Sequence, residues 1–418
     1  MSSAPRTPAR PHTPRAVVIG GGIGGLTAAV ALRQCGWHTT VLERADSLEP
    51  VGAGIGLAPN SQRALDVVGL GDTVRALATW HGDGGLRTPS GRWLSRTDSR
   101  AAAERFGGPL VPLHRATLIE HLAARLSSDA LLLGTSAVLA DPGVPAGRPA
   151  RVTTTRGDIA AELVVAADGI HSDARTALFP GHPGPRYTGV TAWRVVVPAL
   201  DRPFPPHETW GSGALWGSQP LKDDRIYAYA AAAAPSGQRA GDDEKSELLR
   251  RFGDWHDPVP GIIAAAHPEQ VLRNDIWHQK DPLPAFHRGR TALLGDAAHA
   301  MAPFAGQGGN QAVEDAVVLA HCAPPDADLA AGLAAYTAQR LPRATAVVRL
   351  SARIARLATL SNTPAVAVRN TLMAAASRLG PGLVLRTFDG IADWCPPQPT
   401  YAAGAAGAPP KRRREPSD

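Results

Sequence analysis

The chain has 418 residues, 44% hydrophobic and 19% charged, a length that predicts two intimately packed domains rather than one simple core. Its formal charge of +6 is concentrated in residues 1–15 and 408–418, so the nearly neutral remainder excludes the basic stripe of a nucleic-acid-binding surface. The 3 widely spaced cysteines exclude a disulfide framework and a zinc site, and no run approaches the ~20 apolar residues of a spanning helix.

The two ends of the chain have the composition of disordered tails. Residues 1–15 and 401–418 are rich in Pro, Ser, Arg and Ala, and the second segment is basic. The N-terminus lacks the apolar core of a signal peptide, and the cysteines fit a reducing compartment. We therefore expect a cytoplasmic protein without stable membrane association, without a bound metal and without a nucleic-acid partner.

Residues 16–43 predict a βαβ unit in which a glycine-rich turn joins a strand to a helix. The apolar run AVVIG is followed by GGIGG, by the helical pattern LTAAVALRQCG and by the strand-like TTVLE. Gly20, Gly22 and Gly25 fit G-x-G-x-x-G, a spacing that allows a tight turn, a close approach of backbone to a pyrophosphate, and close packing of helix on strand. Glu43 ends the second strand, where a carboxylate accepts hydrogen bonds from a ribose hydroxyl and disfavours a 2′-phosphate. The unit therefore predicts the adenosine of FAD or NAD rather than NADP.

The following segments alternate between helix and strand and then change in character. Helices are predicted at 60–78 and 115–127, short strands within 137–166, aromatic strand-like runs from about 186, a strand and turn at 291–301, a helix at 310–320 and helical segments through most of 328–379. The sequence GAGIG at 52–56 follows no apolar strand and predicts a loop and a strand edge. Five tryptophans lie between residues 193 and 277, a concentration that suits a sheet-based cavity domain.

Three segments together resemble the fingerprints of one enzyme family. These are GGGIGG…LERA at the first turn, AADGIHSDAR at 166–175 and RTALLGDAAHAMAPFAGQGGNQAVEDAVVLA at 290–320. Over roughly residues 16–345 the chain is similar to the single-component FAD-dependent aromatic monooxygenases, which include salicylate hydroxylase-like, urate hydroxylase-like and para-hydroxybenzoate hydroxylase-like enzymes. The resemblance implies an FAD cofactor, NADH or NADPH as co-substrate, and transfer of one oxygen atom from O2 to an aromatic or other electron-rich small molecule through a flavin C4a-hydroperoxide.

The order of the segments and the resemblance together predict the fold class. We expect an α/β protein, α+β overall, in which a Rossmann-like FAD-binding domain is split by an inserted β-sheet substrate domain and closed by a helical C-terminus. The predicted boundaries are 16–75, 100–180 and 286–345 for the FAD-binding domain, 76–99 and 181–285 for the substrate domain, and 346–400 for the C-terminal helices.

The resemblance also implies which residues hold FAD. Asp296 binds a ribityl hydroxyl, the glycines that follow leave room for the flat isoalloxazine, and the helix that begins near Asn310 points its positive end at the N1 and O2 edge. Arg115 lies against the FAD, and Asp168 touches the pyrophosphate side and is implicated in NAD(P)H use. The predicted cofactor-binding set is Gly20, Gly22, Ile23, Gly24, Gly25, Glu43, Arg44, Arg115, Asp168, Gly295, Asp296, Gly306, Gly308, Gly309 and Asn310.

Some polar residues of these segments also have a purely structural interpretation. Asp168 equally fits a cap for a helix at 172–178. His299 fits a packed structural histidine better than an acid or base. Glu314 and Asp315 fit either a helix surface or an ion pair.

One position departs from the family pattern. Relatives often carry Ala or Met where this chain has Gly309, and a helical glycine costs roughly 1 kcal/mol of ordering relative to alanine. We therefore expect a looser turn beside the flavin.

The inserted sheet supplies the predicted substrate contacts. Trp193 and Arg194 alternate along TAWRVVV and face opposite sides, whereas Tyr227 and Tyr229 share one face of RIYAYA. Arg194 suits a carboxylate or phenolate, and a tyrosine suits a ring hydroxyl. An aromatic core with a surface arginine is the alternative interpretation, and no general base is assigned.

Other functions on related folds are the remaining alternatives. A flavin-dependent halogenase or oxidase shares the fold, although AWRVVVP at 192–198 does not match the halogenase segment WxWxIP. A short-chain nicotinamide dehydrogenase needs Tyr-x-x-x-Lys, whereas Tyr336 is followed four positions later by Arg340. A non-catalytic flavin-binding sensor is the alternative from a different class. The expected partners are a small aromatic substrate and O2, and the chain is predicted to be a monomer or a homodimer.

Overall fold

The computed structural model describes residues 13–48, 53–78, 83–378 and 385–397. The predicted C-terminal tail, 401–418, lies outside the described residues, and so does most of the predicted N-terminal tail, 1–15. The first strand begins at Arg15, so the end of that N-terminal range belongs to the fold. None of the described helices is both long enough and apolar enough to cross a membrane.

Strands and helices alternate along the first part of the chain, and strands dominate its middle. The strands are β1 (Arg15–Ile19), β2 (His38–Leu42), β3 (Gly54–Leu57), β4 (Asp83–Arg87), β5 (Trp93–Asp98), β6 (Val111–His114), β7 (Leu131–Leu132), β8 (Ala137–Asp141), β9 (Ala150–Thr154), β10 (Gly157–Ala161), β11 (Leu163–Ala166), β12 (Arg186–Pro198), β13 (His207–Trp210), β14 (Ala214–Pro220), β15 (Arg225–Ala233), β16 (Leu272–His278), β17 (His287–Arg288) and β18 (Thr291–Leu293). The helices are α1 (Ile23–Gln34), α2 (Pro59–Val67), α3 (Gly71–Arg75), α4 (Ser99–Phe106), α5 (Arg115–Ala123), α6 (Asp173–Leu178), α7 (Glu244–Phe252), α8 (Val259–Ala265), α9 (Asp296–His299), α10 (Gly308–Cys322), α11 (Leu329–Ala358) and α12 (Thr363–Arg378).

A six-stranded sheet in the order β17-β18-β11-β1-β2-β7 carries the glycine turn. β1 pairs in parallel with β2 on one side and β11 on the other, and β11 pairs in parallel with β18. α1 crosses between β1 and β2 and packs against α10, and the apolar residues of both helices join those of the strands in one core. The carboxyl ends of parallel strands meet at one edge, which gathers Gly20, Glu43, Asp168 and Asp296 there.

A seven-stranded sheet in the order β16-β12-β15-β14-β13-β4-β5 forms the second layer, and its strands are antiparallel apart from the β4–β13 pair. One face packs on α7 and α8, where Trp193 and Trp216 meet Phe252 in a separate core. Side chains alternate along each strand, so Arg194 and Tyr229 point to the opposite face. Arg194 on that face interacts electrostatically with Asp296 and Arg115, so the face looks towards the carboxyl ends of the six-stranded sheet, and the space between them is called the cleft below.

The remaining elements join these two layers. β8, β9 and β10 form a three-stranded sheet, and β3 pairs with β6. α11 packs against α10, and α12 packs against β5. The segment 385–397 returns to the body of the protein, where Arg63 donates hydrogen bonds to the carbonyl oxygens of Ala392 and Trp394.

The predicted α/β architecture with an additional inserted sheet is confirmed, although some helix ends are wrong. The helix predicted at 60–78 is two helices, because Gly69 adopts a φ of +72°, a left-handed conformation that ends α2. α5 ends at Ala123 rather than near 127. The helical interpretation of 328–379 is borne out by α11 and α12. The domain boundaries stay a prediction.

Candidate functional site

Three glycines shape the turn after β1. Gly20 has a φ of +107°, and a Cβ there would meet the Ala167 carbonyl oxygen at 2.4 Å. A Cβ on Gly25 would lie 2.0 Å from the Gly20 carbonyl oxygen, so α1 can approach the turn this closely only with glycine at that position. Gly22 is the N-cap of α1 and provides no side-chain cap. The first amides of α1 are therefore available to an anion.

Glu43 is bonded to this turn. Its Oε2 accepts a hydrogen bond from the Gly21 amide at 2.7 Å, and its Oε1 accepts one from the Ala45 amide at 2.9 Å. The half-buried carboxylate keeps lone pairs for a further donor such as a ribose hydroxyl. Arg44 follows it and is exposed. The predicted neighbours Gly20 to Gly25, Glu43 and Arg44 thus lie together.

Two predicted residues of α1 face away from the turn. Ile23 is 6% exposed and belongs to the main core. A Cβ on Gly24 would lie 2.7 Å from the Leu294 side chain and 3.1 Å from that of Ala312. Both positions therefore serve the packing of α1 on the sheet and on α10, and only their backbone is available to a ligand.

Charged side chains from several elements converge on the cleft beyond the turn. Arg115 begins α5 and places its Nη2 atom 3.9 Å from the Cβ position of Gly22. Asp296 begins α9 and keeps exposed surface although the rest of that helix is buried. Burial raises the pKa of the Asp296 carboxyl, and the charges of His299, Arg115, Arg175 and Arg194 oppose the rise. An acid and several arginines thus lie close enough to interact electrostatically at this place.

Asp168 performs the capping role and retains a free acceptor. Its Oδ2 accepts a hydrogen bond from the Ala174 amide at 3.1 Å, in the first turn of α6, where Ser172 is the N-cap. Its Oδ1 is buried and has no hydrogen-bond partner within the protein. Gly169 beside it has a φ of +82° and open space at its Cβ position. A buried acceptor without a partner next to open space indicates a position for a ligand donor.

A second glycine-rich turn leads into α10. Gly306 has a φ of +62° with open space where a side chain would stand, and Gly308 begins the helix without a side-chain cap. A Cβ on Gly309 would lie 2.5 Å from the Cδ1 atom of Ile55. This atom is the flexible end of the Ile55 side chain, so a larger residue at 309 would require Ile55 to shift, and the looser turn stays a prediction.

Asn310 uses its side chain within the protein. Its Oδ1 accepts hydrogen bonds from the Ala58 amide at 2.9 Å and from the Ser61 hydroxyl, and its Nδ2 donates to the carbonyl oxygens of Gly56 and Gly306. The side chain therefore fixes the turn to β3 and α2. The predicted cofactor contact is left to the backbone at this position.

A buried ionic network, which the sequence analysis identified only in part, holds the turn between β18 and α9. Asp315 accepts hydrogen bonds from the Gly295 amide at 2.9 Å, from His299 Nε2 at 2.5 Å and from Arg340 Nε at 2.6 Å. Burial raises the pKa of the Asp315 carboxyl, but the charges of His299 and Arg340 outweigh this effect and hold the pKa below its ordinary value. Glu314 accepts from Arg340 at 2.5 Å. The ion-pair interpretation of the acidic residues is therefore right, and the surface interpretation is wrong since both are 0% exposed.

In the sequence Arg340 stands out only as the residue that follows Tyr336 by four positions, where a short-chain dehydrogenase has a lysine. Its partners lie 25 and 26 positions away in another helix, so no local spacing connects them. Two adjacent acids inside the apolar run AVEDAVVLA were the available indication that a buried partner exists.

The predicted substrate residues line the opposite wall of the cleft. Arg194 Nη1 donates to Asn274 Oδ1 at 3.2 Å, and its guanidinium lies close enough to the Tyr227 hydroxyl to oppose the rise that burial gives to the pKa of that phenol. The rings of Tyr227 and Tyr229 lie 5.5 Å apart, as expected for residues on one face. A Cβ on Gly54 would lie 2.3 Å from the Tyr227 ring, so β3 abuts this wall. Arg194 faces the cleft rather than the outer surface.

Comparisons with known proteins agree with this geometry. A family described as "FAD binding domain" matches residues 13–351. The chain is 39% identical to an aurachin C monooxygenase/isomerase of Stigmatella aurantiaca over 85% of this chain and 93% of that protein. It is 34% identical to a 3-amino-4-hydroxybenzoate 2-monooxygenase of Streptomyces cremeus over 86% of this chain and 92% of that protein. The solved structure of Klebsiella pneumoniae HpxO complexed with FAD and uric acid superposes with a TM-score of 0.81 and 28% identity, covering 91% of this chain and 96% of that one.

Proposed function

The chain belongs to the FAD binding domain family and is an FAD-dependent aromatic monooxygenase, and we propose that it uses NADH or NADPH and O2 to hydroxylate a small aromatic molecule held between its two sheets. The observation that carries the proposal is the shared cleft. Asp296 enters it from the six-stranded sheet, Arg115 enters it from the start of α5, and Arg194 and Tyr229 enter it from the inserted sheet.

The residues of this chain fit FAD at both ends of the cleft. The amides of α1, the carboxylate of Glu43 and the guanidinium of Arg115 suit the nucleotide and its pyrophosphate. The buried Oδ1 of Asp168, which lacks a partner, suits a donor along the same path. Asp296 suits the ribityl hydroxyls. When bound, FAD supplies the redox chemistry that takes electrons from the nicotinamide and activates O2.

The start of α10 supplies electrostatic stabilisation at the redox end. The helix runs for 15 residues from Gly308, and its N-terminal amides have no side-chain cap. Such an end carries a partial positive charge of about half an elementary unit, which favours negative charge next to it. The absence of side chains at Gly306 and Gly308 lets a flat ring approach these amides. The N-terminal amides of α10 would therefore stabilise the negative charge of a reduced cofactor.

The inserted sheet positions the substrate ring and excludes water. Arg194 presents only donors, which suit a carboxylate, a phenolate or a carbonyl oxygen. Tyr229 belongs to the same apolar cluster as Ala302 and Phe304, which precede the turn at Gly306. A ring stacked against this wall would thus lie next to the redox end of the cofactor. Holding both reactants in one dry cleft is how the protein favours oxygen transfer over wasteful release of peroxide.

The test is substrate-stimulated oxidation of NADH and NADPH by the FAD-loaded protein. Phenols, aromatic acids, purines and polycyclic aromatics are screened, and the product of any active compound is analysed for one added oxygen atom from labelled O2. Coupled oxidation with labelled product is the expected result. Protein that binds no FAD, or FAD-loaded protein for which no compound of the panel accelerates oxidation, would contradict the proposal. The monomer or homodimer prediction is checked by light scattering.

A further inference from the structure

Four residues of the inserted sheet form a straight row across its cleft face. Arg194 on β12 lies directly opposite Tyr229 on β15, Tyr229 lies opposite Gly217 on β14, and Gly217 lies opposite Glu208 on β13. Residues directly opposite on neighbouring antiparallel strands share a face and contact each other. The row therefore runs from Arg194, beside the cofactor-binding residues, to a carboxylate three strands away.

Gly217 allows the tyrosine to reach that carboxylate. A Cβ on Gly217 would lie 2.1 Å from the Cζ atom of Tyr229, so the ring occupies the space above β14. From there the Tyr229 hydroxyl donates to Glu208 Oε1 at 2.5 Å. Glu208 Oε2 accepts from Trp210 Nε1 at 2.9 Å, a group that can only donate. Burial raises the pKa of the Glu208 carboxyl and these two hydrogen bonds oppose the rise; in the ionised carboxylate both oxygens are acceptors.

This arrangement fixes the direction of the Tyr229 hydroxyl. A phenol has one hydrogen, and once that hydrogen points to Glu208 the oxygen can only accept from other groups. The Gln219 side chain also interacts with this oxygen and opposes the rise that burial gives to the pKa of Tyr229. Tyr229 remains partly exposed and lies on the cleft face of the sheet. Along one row the wall therefore carries the donors of Arg194 on β12 and the acceptor oxygen of Tyr229, which lies over β14.

We infer, on the premise of the proposed function, that Glu208 determines specificity by orienting Tyr229, so that the site selects aromatic rings with an N–H or O–H group on the side of Tyr229 and an oxygen acceptor on the side of Arg194. Glu208 acts through Tyr229 and is a positioning residue. The substrate class is a hydroxylated aromatic or a lactam-type nitrogen heterocycle. An acceptor in the cleft wall rejects an analogue in which the donor is methylated, because its hydrogen bond is lost and the added methyl group clashes.

The test compares ring pairs that differ only in one methyl group. FAD-loaded protein is titrated with hydroxyquinoline and methoxyquinoline, and with uric acid and its N-methyl derivatives, and Kd is read from the perturbed flavin absorbance. We expect the wild type to bind the best donor-bearing ring at least about tenfold more tightly than its methylated partner. Tyr229→Phe is expected to reduce this ratio to within about twofold.

Two further variants separate orientation from simple loss of a side chain. Glu208→Gln replaces one of the two carboxylate oxygens with an amide nitrogen, which can only donate. When the remaining oxygen accepts from Trp210, the amide N–H donates to Tyr229. The Tyr229 hydroxyl hydrogen then points into the cleft. The discrimination is expected to fall at least about fivefold or to reverse. Gly217→Ala displaces the ring without removing a polar group and is expected to have the same effect as Tyr229→Phe. Tyr187→Phe, which removes another hydroxyl of the same sheet, is the control and is expected to keep the wild-type ratio.

The outcomes distinguish the two proposals. A wild type that turns over these compounds without preferring donors, or a Glu208→Gln protein that keeps the wild-type preference, overturns the role of Glu208 and leaves the proposed function intact. FAD-loaded protein that binds no member of the panel overturns the substrate class. Protein that retains no FAD overturns the proposed function itself. Flavin absorbance and melting temperature of each variant identify any that fails to fold.

Discussion

At the six-stranded sheet the backbone decides which groups face the cleft, whereas at the seven-stranded sheet cross-strand register decides it. Glycine is needed at three positions, because a Cβ would clash with backbone or because φ is left-handed, at Gly20, Gly25 and Gly306. The groups that face a ligand there are largely backbone amides and helix ends. Across the other wall, Arg194, Tyr229 and Glu208 fall in one row only because four strands align. The first kind of site is held by local geometry and tolerates few substitutions. The second can change its preference through single side chains.

The largest loss of stability is expected from the buried ionic network that holds the turn between β18 and α9 at the six-stranded sheet. Arg340 is 1% exposed and donates to both Asp315 and Glu314. Arg340→Met leaves these buried carboxylates without their shared cation, which is expected to cost about 3–5 kcal/mol of unfolding free energy and the retained FAD. Chemical denaturation measures the loss. Arg349→Met, at an exposed position of α11, is the matched control and is expected to change stability by less than about 0.5 kcal/mol.

Gly25→Ala tests the claim that the backbone is decisive at the first turn. The new Cβ would lie 2.0 Å from the Gly20 carbonyl oxygen, so α1 must move away from β1. We expect a loss of about 1–3 kcal/mol of stability and of most of the bound FAD. The ratio of flavin to protein absorbance after gel filtration measures the second effect. Gly181→Ala, where no atom lies within 4 Å of the new Cβ, is expected to retain FAD; equal occupancy in both variants would refute the claim.

The same contrast explains what could be predicted from the sequence. The glycine turn and Glu43 were predictable because each depends on a spacing within one strand–turn–helix segment, whereas Asp296 was predicted from the family resemblance. The break at Gly69 was not, because hydrophobic periodicity continues across it while the backbone turns left-handed there.

The functional residues that sequence reasoning missed depend on distant parts of the chain. Glu208 lies in a Pro-rich stretch and gains its role from Tyr229 and Gly217, which are brought opposite each other by register alone. Arg340 gains its role from acids on another helix. Tyr227 and Tyr229 were chosen correctly as one face, but their Glu208 anchor required the order of the strands.

Arg194→Gln tests whether the substrate wall acts independently of cofactor binding. The change removes a charged donor from the cleft but leaves every glycine contact of the parallel sheet in place. Under the proposed function we expect KM to rise about tenfold, the equivalent of roughly 1.4 kcal/mol, with FAD occupancy unchanged. Steady-state kinetics beside flavin absorbance separate the two quantities. Arg186→Gln, an exposed arginine at the start of the same strand, is the control; loss of FAD in Arg194→Gln alone would show that the two walls are coupled.

The last expected effect is the loss of stability in acid, to which His207 of the seven-stranded sheet contributes. His207 on β13 is 2% exposed, and burial lowers its pKa from 6.5 to about 4. As pH falls through this interval, His207 is protonated in the unfolded chain but stays neutral in the folded protein. The free energy of unfolding therefore decreases as pH falls. The pKa of Asp315 is lowered as well, but for a carboxyl the stabilisation is lost only below its ordinary value of 3.8. Burial also lowers the pKa of His287 on β17, so each sheet contains a histidine whose protonation destabilises the fold as pH falls. His207→Gln is expected to recover about 1–2 kcal/mol of the stability that the wild type loses between about pH 7 and pH 5, measured by urea denaturation.

His267→Gln, at an exposed position, is the control and is expected to leave the loss unchanged. An unchanged loss in His207→Gln would assign the acid sensitivity to other groups.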